Sequence, residues 1–120
     1  MELTEVDILE KYKEFFSENF IGLECGKGWN GILIDMFENF RKNNIKIKMI
    51  QIKEKFGSLR IYIDFPENIE EYELLEKIIH EAENKSWTTC EGCGAENKIS
   101  KKESWIINFC KKCQMLEKLS

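Results

Sequence analysis

The stretch that decides the fold is IKIKMIQIKEKFGSLRIYIDF, residues 45–65. Ile45, Ile47 and Met49 recur in one phase and Ile50 and Ile52 in the other, after which Leu59, Ile61, Ile63 and Phe65 alternate with Arg60, Tyr62 and Asp64. A period of two belongs to half-buried strands. The change of phase at Met49-Ile50 predicts a bulge or bend, and Phe56-Gly57-Ser58 joins the two runs into an antiparallel hairpin.

Around this hairpin the period is helical. Ile8, Leu9, Tyr12, Phe15 and Phe16 lie three and four apart and predict a helix from Thr4, its N-cap, to Asn19, with Asp7 placed to complete the cap. A second helix opens at Asn30 or Gly31, carries Leu33, Met36, Phe37 and Phe40, and stops at Asn43-Asn44. Between them Gly22, Gly26, Gly28, Trp29 and Gly31 read as a long loop, of the kind that often carries function. Pro66 ends the hairpin. Asn68-Ile69-Glu70-Glu71 then starts a third helix, with Ile69, Tyr72, Leu75, Ile79 and Ala82 as the stripe that lies across the strands. The expectation is an α+β fold. Helices pack on a small antiparallel hairpin or sheet over residues 1–89, and residues 90–120 form a zinc-ribbon module packed on it.

Four of the five cysteines form two tight pairs, Cys90-Glu-Gly-Cys93 and Cys110-Lys-Lys-Cys113, sixteen residues apart. That spacing is the pattern of a four-cysteine zinc site. Soft thiolates in tetrahedral array favour Zn2+, with iron the minority alternative, and four protein ligands leave no open position, so one structural Zn2+ per chain is expected. Two disulfides are the competing reading. The acidic start and the lack of a long apolar run point instead to a reducing, cytoplasmic setting with no membrane partner.

The net charge of −4 argues against coating duplex DNA by bulk charge, so weak non-specific nucleic-acid binding is the most expected. The charge is nevertheless segregated: residues 41–60 carry seven Lys and Arg against the single Glu54, between two acidic segments. Lys53, Lys55 and Arg60, with Phe56, Tyr62 and Trp29 as aromatic neighbours, suit a nucleotide whose phosphates meet cations while its base stacks. The plain alternative is a solvated strand face whose lysines discourage edge pairing. The glycine loop offers backbone N–H groups to phosphates but lacks a P-loop ending. For catalysis, Cys25 as nucleophile and His80 as base are the only candidates. Both read more simply, Cys25 as a small buried group and His80 as an exposed helix position.

Gly26-Lys-Gly-Trp29, Gln51-Ile-Lys-Glu-Lys-Phe-Gly-Ser-Leu-Arg-Ile-Tyr62, and Ala82-Glu-Asn-Lys-Ser86 running into Cys90-Glu-Gly-Cys-Gly94 together resemble a family of small zinc-ribbon proteins of tailed bacteriophages, prophages and their bacterial hosts. The resemblance spans roughly residues 26–94. It implies a phage-type accessory role in the host cytoplasm, such as host takeover or anti-defence. With Ser86 folded back over the hairpin, the expected site is a cationic, aromatic pocket of Trp29, Lys53, Lys55, Phe56, Arg60, Tyr62 and Ser86. It would hold an anionic, nucleotide-like ligand without catalysis, as a sponge for a host immune signal. The alternative is an adaptor that docks nucleic acid or a host protein through Lys101, Lys102, Lys111 and Lys112.

Overall fold

The computed structural model describes residues 4–64, 72–97, 100–102 and 105–118. Thr4 caps α1 (Glu5–Lys11): its hydroxyl accepts from the Asp7 N–H at 3.2 Å and the Asp7 carboxylate accepts from the Thr4 N–H at 2.9 Å, a complete capping box. The helix is shorter than its apolar stripe predicts and passes into a 3-10 turn over Lys13–Phe15. Two contacts draw the chain out of the helix. Tyr12 and Phe15 stack on Phe37 at 4.9 and 5.5 Å, and the Ser17 N–H donates to the Met49 carbonyl at 3.0 Å, which sets the chain beside the sheet. Such ring pairs contribute about 0.5–1.5 kcal/mol each beyond their burial.

Gly22–Glu24 form a strand, β1, where the sequence reading has only loop. It pairs in parallel with β2 (Met49–Lys55), placing Leu23 opposite Ile52. With a single buried residue in three, β1 carries no alternation to read. A 3-10 turn over Lys27–Trp29 leads into α2 (Asn30–Lys42), which buries Ile32, Leu33, Met36, Phe37 and Phe40 along one stripe. Asn44, at φ 54, supplies the left-handed residue of a Schellman stop: its N–H donates to Arg41 O at 3.2 Å and the Ile45 N–H donates to Phe40 O at 2.9 Å.

The hairpin is as read in its centre. β2 pairs antiparallel with β3 (Ser58–Ile63) through a two-residue turn, Phe56-Gly57, whose φ values of 55 and 85 are both positive, as in a type I′ turn. The register shifts between Met49 and Gln51, where the hydrophobic phase changes. Ile45–Lys48, read as strand, lie outside the ladder, although Ile45 and Ile47 are buried. The sheet order is β1-β2-β3.

α3 (Tyr72–Ser86) packs on α2 and β3 with Leu75, Ile78, Ala82 and Ser86 buried, so its inner face is turned from the expected stripe. Ile79 is half-buried and Tyr72 exposed, because the helix serves two neighbours at once. It also shields the edge of the sheet: the Leu59 N–H donates to Ser86 Oγ at 2.8 Å and the Ile61 N–H to Glu83 Oε2 at 3.2 Å. Phe65, Pro66 and the helix start at Asn68–Glu71 lie outside the described residues. Beyond α3 come the antiparallel pair β4 (Ser100–Lys102) and β5 (Trp105–Ile107), then α4 (Lys111–Lys118). The α+β class holds, and the expected small sheet is three-stranded and mixed, the antiparallel hairpin being joined by β1 in parallel.

Candidate metal centre and cationic sheet face

The two cysteine pairs converge as their spacing predicts. Sγ atoms of Cys90, Cys93, Cys110 and Cys113 all lie within 4.8 Å of one another. A tetrahedral thiolate site with metal–sulfur bonds of about 2.3 Å has edges of roughly 3.8 Å, and the Cys93 and Cys110 sulfurs stand 3.7 Å apart. The donor set and the spacing therefore fit a tetrahedral metal. Gly92 must be glycine, since a Cβ there would sit 2.8 Å from Cys113 Sγ, and Gly94 takes φ +83 to close the knuckle.

Cys90 is the thiol most prepared to ionise. Burial raises its pKa, but the backbone N–H groups of Cys110, Cys93 and Gly92, with the Cys110 side chain, outweigh that and bring it to about 6. The Cys110 N–H reaches Cys90 Sγ at 3.2 Å. Cys113 is pushed up to about 12 by burial and by its bonds to the other three sulfurs. Four clustered thiols cannot all ionise without a cation among them.

The knuckle is seated on the glycine loop. The Gly26 N–H donates to Glu91 Oε2 at 2.8 Å and the Gly28 N–H donates to Glu91 O at 2.8 Å. A Cβ on Gly28 would meet Cys90 O at 2.3 Å and Gly94 N at 2.6 Å. These N–H groups are thus engaged by the knuckle and do not face a phosphate. Trp29, which follows, is fully buried and donates from Nε1 to Thr89 O at 2.9 Å.

Asn108, which the sequence reading passed over, clamps the other side. It is 1% exposed; its Nδ2 donates to Gly57 O at 2.8 Å and to Ser86 O at 2.5 Å, and its Oδ1 accepts from Asn97 Nδ2 at 2.8 Å. Its backbone carbonyl accepts from the Glu91 N–H at 2.8 Å. Ser86 is fully buried, its hydroxyl donating to Glu83 O and accepting from the Leu59 N–H. Trp29 and Ser86 were expected in a ligand pocket. Both are instead hydrogen-bonded inside the joint between core and knuckle, and neither offers a surface. Polar residues of this kind in Gly-x-Gly-Trp and before Cys-x-x-Cys are the signal that could have announced a docking seam.

The remaining five expected ligand residues do share a surface. In the ladder Lys53 stands opposite Arg60, Gln51 opposite Tyr62, and Lys55 opposite Ser58, so their side chains leave the sheet on the face opposite that of Ile52 and Ile61. Lys53 Nζ lies 5.5 Å from the Tyr62 ring centroid and Lys55 Nζ 5.7 Å from that of Phe56. Phe56 is 61% exposed and Tyr62 40%. Among the described residues, Lys53, Lys55 and Arg60 make no ion pair, and Arg60 Nε is buried without a hydrogen-bond partner. Elsewhere in the basic segment, Arg41 pairs with Glu14 at 2.6 Å and Lys48 donates to Glu14 O at 2.7 Å, so those cations serve packing. Glu24 stands beside Lys53 in the register and bounds the cationic strip at β1.

Cys25 packs against the core, and burial, then the charges of Glu91 and Glu5, push its thiol up to about 12. His80 is exposed on α3, with Nε2 3.5 Å from Glu76 Oε1. Among the described residues no helix is long and apolar enough to cross a membrane. Comparison with protein-family models, curated proteins and solved structures gives no match to the chain.

Proposed function

We propose that the chain is a zinc-stabilised binding protein that takes an anionic, nucleotide-like ligand on the open face of β2 and β3. One observation carries this reading. Three cations that make no ion pair among the described residues, exposed Lys55 and part-buried Lys53 and Arg60, share a sheet face with two exposed aromatic rings, in a chain that is acidic overall. Phosphate oxygens are the natural partners of Arg and Lys, and rings accept a base. The ligand is bound and not turned over in this reading: Cys25 is pushed toward the thiol form, and exposed His80 pairs with Glu76 on its own helix. In the phage setting implied by the sequence resemblance, this is sequestration of a nucleotide in the host cytoplasm.

Zinc is the metal this site suits, because four cysteine sulfurs within one tetrahedron favour it over harder cations. Bound there it would crosslink the two knuckles through Cys90, Cys93, Cys110 and Cys113 and contribute folding free energy. Metal analysis of protein purified without chelator is expected to give one zinc per chain. Iron or no metal would overturn that assignment.

The binding test is calorimetry of linear and cyclic nucleotides on the wild type and on Lys53→Ala and Arg60→Ala. Each charge-assisted contact contributes about 1.5–3 kcal/mol, so either variant should bind at least tenfold more weakly while melting as the wild type does. If no nucleotide binds, or if binding follows the exposed Lys111 and Lys112 of α4 instead, the face is a solvated strand surface and the adaptor reading replaces this one.

A further inference from the structure

Phe56 occupies the first position of a type I′ turn at φ 55, a conformation in which a bulky side chain is strained and Asn is preferred. Its ring is 61% exposed, so core packing gives no reason for it to be there. An aromatic ring held in the left-handed region at an exposed hairpin tip is the kind of local cost that accompanies binding sites. The second ring, Tyr62, stands opposite Gln51, five residues back along β2 from Phe56. At about 3.3 Å per residue the backbone positions of Gln51 and Lys55 are roughly 13 Å apart along β2, and Phe56 follows in the turn, so the two ring-bearing positions are at least that far apart, with Lys53, Arg60 and Lys55 between them.

A nucleotide unit has six backbone bonds of about 1.5 Å, which zigzag to roughly 6–7 Å at full extension. A single base therefore reaches one ring only, while two bases separated by one intervening nucleotide, two steps or roughly 12–14 Å apart, are the nearest pair that can reach both. From this spacing we infer that the ligand of the face is a single-stranded oligonucleotide of at least three nucleotides, with bases on Phe56 and Tyr62 and the connecting phosphates on Lys53, Arg60 and Lys55. The inference rests on the binding face proposed above and specifies its ligand. Glu24 flanks the strip at β1 and Asp64 follows Tyr62 just past the end of β3, so carboxylates border the track and keep it short. Duplex is disfavoured because its bases are stacked on each other and unavailable to the rings.

The experiment is fluorescence anisotropy and calorimetry on the metal-loaded protein with thymidine monophosphate, the corresponding tri- and hexanucleotides in both deoxy and ribo forms, and a hexanucleotide duplex. The trinucleotide is expected to bind at least tenfold more tightly than the mononucleotide, and the hexanucleotide only a few-fold more tightly than that. Two connecting phosphates held by the three cations should give a slope of log affinity against log salt of about −1.4 for the trinucleotide. The deciding variant is Phe56→Asn, which installs the preferred turn residue. It should melt at or above the wild-type temperature yet bind the trinucleotide at least fivefold more weakly, with mononucleotide affinity changed far less. If mononucleotide and trinucleotide bind alike, each dependent on Lys53 and Arg60, the oligonucleotide inference is overturned and the binding face stands. An unchanged trinucleotide affinity in Phe56→Asn, or a duplex that binds as tightly, also overturns it. If no nucleotide of any length binds, the face itself is disproved.

Discussion

Gly28 has no room for a methyl group: a Cβ would stand 2.3 Å from Cys90 O, and its own N–H holds Glu91 O. Backbone atoms cannot yield as a flexible side chain does, so Gly28→Ala must push the knuckle off its seat. The expected cost is about 2 kcal/mol or more, a fall in melting temperature of roughly 6–12 °C for a domain of this size, with weaker zinc retention in a chelator competition. A variant that melts and holds metal as the wild type does would show that the close approach is unimportant. At this scale the sequence was legible for the four cysteines and for Thr4, whose chemistry is local. It was not legible for Trp29 and Ser86. A buried, hydrogen-bonded Trp and a ligand-stacking Trp look alike in a linear chain, and only the partner atoms, Thr89 O for one and the Leu59 N–H for the other, tell them apart.

Among the elements, α1 depends on a cap that titrates. The Thr4 backbone N–H, then the Thr4 hydroxyl, hold the Asp7 carboxyl below its ordinary 3.8. Since the folded state prefers the charged form, the contribution of Asp7 is fully present above that ordinary value and is lost as the pH falls through the lower folded one. Asp7→Asn should therefore melt below the wild type near about pH 7, and the difference should close in acid once the pH is below the lowered folded value. A gap that persists unchanged into acid would mean that the cap does not titrate.

Periodicity served the long elements well. α2 and the centre of the hairpin fall where their spacing puts them, and the bulge at Met49–Gln51 sits at the phase change. It served the short ones poorly. β1 has three residues and one buried side chain, and α1 gives way once Tyr12 and Phe15 find Phe37. Both outcomes depend on residues distant in the chain, which local spacing does not encode.

For the whole molecule, the metal centre and the sheet are joined through Glu91 and Asn108, which tie the knuckles to Gly26, Gly28, Gly57 and Ser86. Chelation, or acid strong enough to protonate the thiolates, should loosen this joint as well as the cysteine cluster. The Trp29 indole N–H, bonded to Thr89 O in the folded protein, is the reporter. It should resist hydrogen exchange in the zinc-loaded protein and exchange rapidly after chelation, recovering when zinc is restored. Protection that survives chelation would separate the core from the metal centre.

The hairpin tip is clamped by Asn108 at Gly57, so the cationic face is presented on a braced scaffold. The most direct measurement of the central claim is an NMR titration of the metal-loaded protein with nucleotide, following backbone amides and the indole N–H of Trp29. The account predicts saturable shifts at Lys53, Lys55, Phe56, Arg60 and Tyr62, with the Trp29 indole and the Ser86 amide nearly still. No saturable shift, or shifts concentrated on Trp29, Ser86 or α4, would contradict it.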